Sequence, residues 1–145
     1  MKFKTFFYIT VMTLSTLTQA KPVAEKQLLS CPSSPNCVSS QATDTEHFIA
    51  PFKITGNTDE AWAALKKALI TQSRTVVTNE TDYTLHAQAT SLMFRFVDDI
   101  DAILDTDARS IHIRSASRTG YGDFGVNRKR VEMLRSQLQQ MHVIE

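Results

Sequence analysis

Between Arg114 and Arg130 the chain reads Arg-Ser-Ala-Ser-Arg-Thr-Gly-Tyr-Gly-Asp-Phe-Gly-Val-Asn-Arg-Lys-Arg. Three of its four glycines (Gly120, Gly122, Gly125) share this stretch with five cationic side chains. Glycine lets the backbone turn sharply and approach a neighbour closely, and guanidinium groups bind carboxylate or phosphate through paired hydrogen bonds. Arg114, Ser117, Arg118, Asp123, Asn127 and Arg128 are therefore the candidate ligand-binding residues, joined by backbone N–H groups from Gly120 to Gly125. The competing use of the same groups is internal. They would then fasten the glycine loop to the strand carrying Asp98 and Asp99, the supporting acids.

Other chemistries have weaker support. Ser115, Ser117, His47, His86 and His112 supply the residue types of a hydrolase, but no Gly-x-Ser-x-Gly elbow is present. Asp105-x-Asp107 resembles part of a calcium loop without its spacing or its closing glutamate. No metal site, cofactor or catalytic residue is assigned, and the balance leans away from an enzyme. The formal charge is +1, and setting aside Lys2 and Lys4 leaves 14 cations against 15 acids, or −1. That balance excludes the basic excess of a nucleic-acid-binding protein.

Lys2 and Lys4 precede an apolar run, Thr5 to Leu17, and Thr18-Gln19-Ala20 then offers small residues where a signal peptidase reads them. Residues 1–20 are thus a secretory leader, cleaved after Ala20. The expected location is periplasmic or secreted, with no transmembrane segment once the leader is gone. Leu28-Leu29-Ser30-Cys31 resembles a lipobox, but Lys21, Glu25 and Lys26 separate it from the apolar run. Lipid anchoring at Cys31 is the minor alternative. In an oxidising compartment Cys31 and Cys37 have only each other as partners, and Pro32 and Pro35 keep the intervening loop irregular. Residues 21–46 form a flexible N-terminus and this disulfide-closed loop, and residues 47–142 a single α+β domain.

Positioning elements follow from periodicity. Asn57 caps a helix from about Asp59 to Ser73, with Trp62, Leu65 and Leu69 on its apolar face and Glu60 completing a capping box. Phe48 to Ile54 holds a short strand limited by Pro51. Strands follow at Arg74 to Thr78, Tyr83 to Ala89, Leu92 to Val97 with an extension to Leu104, and Ser110 to Ser117. A final hairpin centred near Thr106 and Asp107 sets Asp99 opposite Arg114 and Asp101 opposite His112. Asn127 caps a closing helix to about Gln140, with Val131, Leu134, Leu138 and Met141 on one stripe. The expected fold is α+β, an antiparallel sheet of four to five strands with two amphipathic helices packed on one face.

The closing helix starts with Arg128, Lys129 and Arg130, which oppose its dipole by roughly 0.3–1 kcal/mol each. Internal aspartates, ahead of an external anion, are expected to offset them.

Cys31 to Ser40, Phe94 to Asp99 and Arg114 to Arg128 together resemble the signature segments of the domain-of-unknown-function 1499 family. The resemblance spans about Leu29 to Gln140. It implies a small exported or envelope-associated domain and transfers no catalytic residue. The functional expectation is an envelope or periplasmic domain that binds an anionic small molecule or an envelope protein at the Arg114–Arg128 patch. An enzyme acting there on an envelope metabolite, or a purely structural domain, are the alternatives.

Overall fold

The computed structural model describes residues 27–145; the expected leader, residues 1–20, and the expected flexible residues 21–26 lie outside them. The elements are β1 (Cys37–Ser39), β2 (Phe52–Lys53), α1 (Thr58–Thr71), β3 (Thr75–Glu80), β4 (Thr84–Thr90), β5 (Val97–Asp105), β6 (Ser110–Ser117) and α2 (Val126–Gln140). The fold is α+β, with six strands in one antiparallel sheet ordered β1-β6-β5-β4-β3, and β2 beside β1 on the outer side of β6. The sheet exceeds the expected four to five strands by β1, whose three residues are too short to leave a periodic signal, while β2 falls within the short strand expected at Phe48 to Ile54.

Alternation decides the faces. Leu85, Ala87, Ile100, Ala102, Ile111 and Ile113 project to one side and share a core with Leu65 and Leu69 of α1 and Val131, Leu134 and Leu138 of α2. Val38 and Ile144 join the same core, Ile144 through a bridge to Ile54. Asn57 caps α1 as expected, accepting from the N–H groups of Asp59 and Glu60. No helix among the described residues is long and apolar enough to cross a membrane.

Several expectations need correction. Leu92 to Phe96 is a loop, not a strand; Phe96 N–H donates to Ser91 Oγ, Ser91 N–H donates back to the Phe96 carbonyl, and Arg95 takes φ 54°. The β5–β6 hairpin is displaced by two residues, so Asp99 faces Ala116, Asp101 faces Arg114 and Ile103 faces His112. Arg109, at φ 49°, belongs to the turn and moves its centre past Asp107. The two-residue shift leaves the faces as expected, because side chains alternate with period two. Met141 ends α2 half-exposed and lies off its buried stripe. Leu28, expected in a flexible segment, is buried and its N–H donates to Gln41 Oε1.

Cys31 and Cys37 are disulfide-bonded, and Cys37 lies in β1 at the sheet edge. Closing so small a loop is worth about 2–3 kcal/mol. Urea denaturation of Cys31→Ala/Cys37→Ala is expected to show that loss; an unchanged midpoint would mean that the loop is held by its other contacts.

Candidate functional site

The glycine-rich segment leaves β6, turns at Gly120 and Gly125 (φ +84° and +75°), and starts α2 at Val126. Gly125, not Asn127, is the residue before the helix, and it has no side chain to cap with. Asp123 takes over that role: its carboxylate accepts from Gly125 N–H at 2.9 Å and Asn127 N–H at 2.8 Å. Burial works to raise the Asp123 pKa, but these backbone N–H bonds outweigh it and hold the carboxyl below its ordinary range.

Asn127, two positions inside the cap, becomes a fully buried hub. Its Nδ2 donates to the Asn36 carbonyl (3.0 Å), Ser117 Oγ (2.9 Å) and Asp123 Oδ2 (2.8 Å). Its Oδ1 accepts from Ser115 Oγ and from Arg130 Nη1, each at 2.7 Å. Arg130 Nη2 donates to Asp98 Oδ2 at 2.6 Å. Asn36 Nδ2 in turn donates to the Gly120 carbonyl at 2.7 Å. The three signature segments therefore meet here: Asn36 from the first, Asp98 from the second, Ser115, Ser117 and Asn127 from the third.

The remaining cations go elsewhere. Arg114 points to the face away from the helices, where Nη1 donates to Asp101 Oδ2 (3.2 Å) and Asp101 Oδ1 meets His86 Nδ1 (2.6 Å). Arg118 grips Asp99 with two bonds of 2.8 Å, which lower the Asp99 pKa against its partial burial. Arg128 spans to the Phe48 and Glu46 carbonyls. The structure thus brings Ser117, Asp123 and Asn127 together and separates them from Arg114, Arg118 and Arg128. Aspartates receive Arg130, Arg114 and Arg118, while backbone carbonyls receive Arg128.

The hydrolase residue types do not assemble around the patch. Ser115 and Ser117 bond to Asn127, and the serine–histidine contact is Ser40 Oγ to His112 Nδ1 at 3.2 Å. Ser40 Oγ also accepts Ile113 N–H. Among the described residues no group of three or more His, Cys, Asp or Glu side chains is placed to hold a metal.

One groove opens beside the hub. About 550 Å3 in volume, it lies between the end of α1, the start of α2 and the adjoining ends of β3, β4 and β5. Arg74, Lys129 and Arg130 line it against a single acid, Asp98. Gln72 and Gln137 also line it, and their Nε2 and Oε1 atoms respectively are buried with no hydrogen-bond partner among the described residues. The sequence marks Arg130 as a helix-start cation to be offset by an internal aspartate, as Asp98 does, but not as a site residue, although it sits three residues after Asn127 on the same helix face. Gln72, Arg74 and Gln137 carry no signal in the sequence.

A family model described as "Protein of unknown function (DUF1499)" matches residues 27–138. The chain belongs to the DUF1499 family. The match includes every residue of the hub and all of the groove. No curated protein matches this DUF1499 sequence.

The DUF1499 domain also holds a histidine between two acceptors, away from the groove. His47 Nδ1 lies 2.7 Å from Asp44 Oδ1 and Nε2 lies 3.1 Å from the Ser34 carbonyl. Both neighbours are acceptors, which favours the doubly protonated ring. The Ser34 carbonyl raises the His47 pKa above 6.5, burial opposes it, and Asp44 adds to the rise. His112 moves the other way, lowered chiefly by burial. His47 therefore contributes stability that is complete below about pH 6.5 and is lost as pH rises through its raised pKa. His112 subtracts stability as pH falls below about 6.5. In an NMR titration His47 is expected to titrate above its ordinary value and His112 below it. His47→Gln should remove the decline in stability on the alkaline side, and an unchanged pH–stability curve would contradict the assignment.

Proposed function

We propose that this domain is an exported binding protein for a small carboxylate-bearing molecule, seated in the groove between the end of α1 and the start of α2. The leader-like pattern of residues 1–20 and the Cys31–Cys37 bond support export. The observation that carries the binding reading is the pair of unpartnered buried amide atoms in a cation-lined groove. A buried polar atom without a partner costs about 1–3 kcal/mol. A ligand offering one acceptor to Gln72 Nε2 and one N–H or O–H donor to Gln137 Oε1 would recover that cost. Arg130 is already neutralised by Asp98, so Arg74 and Lys129 are the cations that would meet the carboxylate. Arg114, Arg118 and Arg128 support the site by fixing its frame.

Native mass spectrometry of protein exported by its own leader tests the reading, alongside thermal shifts with citrate, lactate and N-acetylglycine. An adduct, or a shift with one of these acids, is expected to weaken about tenfold in Lys129→Gln, the factor that loss of about 1.4 kcal/mol gives. No adduct and no shift with any of the acids would remove the reading.

A further inference from the structure

A second surface lies at the same end of the sheet. The 91–96 loop joins β4 to β5 and the 118–125 loop leaves β6; Thr90 pairs with Val97, and Arg118 N–H donates to the Val97 carbonyl, so the loops are neighbours. Leu92, Met93, Phe94 and Phe96 from the first, and Tyr121 and Phe124 from the second, are all exposed. Phe124 is 98% exposed and Met93 80%. Scattered apolar residues on a surface are ordinary, but six on two adjacent loop tips are not.

The backbone presents these side chains at a cost. Phe124 is held at φ 55° and Arg95 at φ 54°. A bulky residue in the left-handed region costs on the order of 1 kcal/mol or more and persists where the surroundings enforce it. Asp123 enforces it in the second loop through Gly125 and Asn127, and Ser91 closes the first.

Charge then selects the occupant. The acids at this end are committed inward: Asp98 to Arg130, Asp99 to Arg118 and Asp123 to the start of α2. Arg74, Arg95 and Lys129 remain exposed around the apolar tips. Apolar and aromatic side chains interleaved with arginine and lysine suit the headgroup boundary of an anionic bilayer. We infer that the 91–96 and 118–125 loops dock this domain on an anionic membrane surface, with Phe94 and Phe124 entering the headgroup–acyl boundary.

This inference shares Arg74 and Lys129 with the groove reading, but its apolar side chains are separate from it: none of the six lines the groove. The test is co-sedimentation with vesicles of phosphatidylglycerol and phosphatidylcholine, compared with phosphatidylcholine alone. Wild type and Leu29→Ser, a control at an exposed leucine of the N-terminal segment, should bind the anionic vesicles alike and release as salt rises. Phe94→Ser/Phe124→Ser should bind on the order of tenfold more weakly with an unchanged melting temperature and unchanged response to the carboxylate panel. Should the double variant fail to fold, Met93→Ser alone carries the test. Equal binding by variant and wild type, or equal binding to neutral vesicles, overturns the inference. So does an absence of vesicle binding together with self-association that the double variant abolishes, which would give the tips to a second copy.

Discussion

Arg130→Met is expected to cost about 3–5 kcal/mol of folding stability, the range for removing one partner of a buried ion pair. The Arg130 and Asp98 side chains are only 11% and 9% exposed, and their contact is 2.6 Å. Without Arg130, Asp98 loses its cationic partner in a site shared with Ser115 and Asn127, and Asn127 Oδ1 loses one of its two donors. Asp98→Leu on top of Arg130→Met should recover much of the loss, because removing both charges leaves no uncompensated ion. Urea denaturation of the two single variants and the double closes the cycle. A double variant no more stable than Arg130→Met would show that the pair matters through shape and not through charge.

Asn127→Leu should cost at least about 3 kcal/mol, since it strands several buried groups that each lose a partner at about 1–3 kcal/mol. The Asn36 carbonyl, Ser115, Ser117 and Asp123 would all lose a bond at once. The side chain of leucine fills similar space, so the deficit would be one of hydrogen bonds and not of volume. Amide exchange at Gly120 to Gly125 should quicken more than exchange in β4, because the hub ties that loop to the sheet. Uniformly quicker exchange across the domain would mean that Asn127 sustains only global stability. Both variants act on one network, so their effects will not add.

Much of the frame could be read from the residues. Leu85, Ala87 and Ala89 alternate cleanly, and the α1 cap at Asn57 and the closing stripe of Val131, Leu134 and Leu138 lie where periodicity places them. Phe94-Arg95-Phe96 misled because alternation alone cannot tell a half-buried strand from a loop that displays its apolar residues. Asn127 misled for a different reason. An asparagine ahead of a helical stripe fits a cap, yet it is four residues before Val131 and so lies on the buried side. The glycine before it and Asp123 two residues further back supply the turn and the cap instead. The groove was invisible because its walls come from segments near residues 72, 90, 98 and 130, and nothing local marks Gln72 or Gln137 as unpartnered.

The way the sheet ends bears on how this chain behaves when crowded among copies of itself. On one side β6 is bordered by two fragments, of three and two residues, each too short to template a further strand. On the other, β3 slips register between Val77 and Asn79, and Glu80 at its end is tied to Lys66 at 2.6 Å. A bulge and a charge interrupt the flat, continuous ladder that another extended chain would need. Val76 is exposed on that strand but sits just before the slip, so the run of backbone groups it could offer is brief. Edge-to-edge growth into fibres is thereby disfavoured at both borders of the sheet.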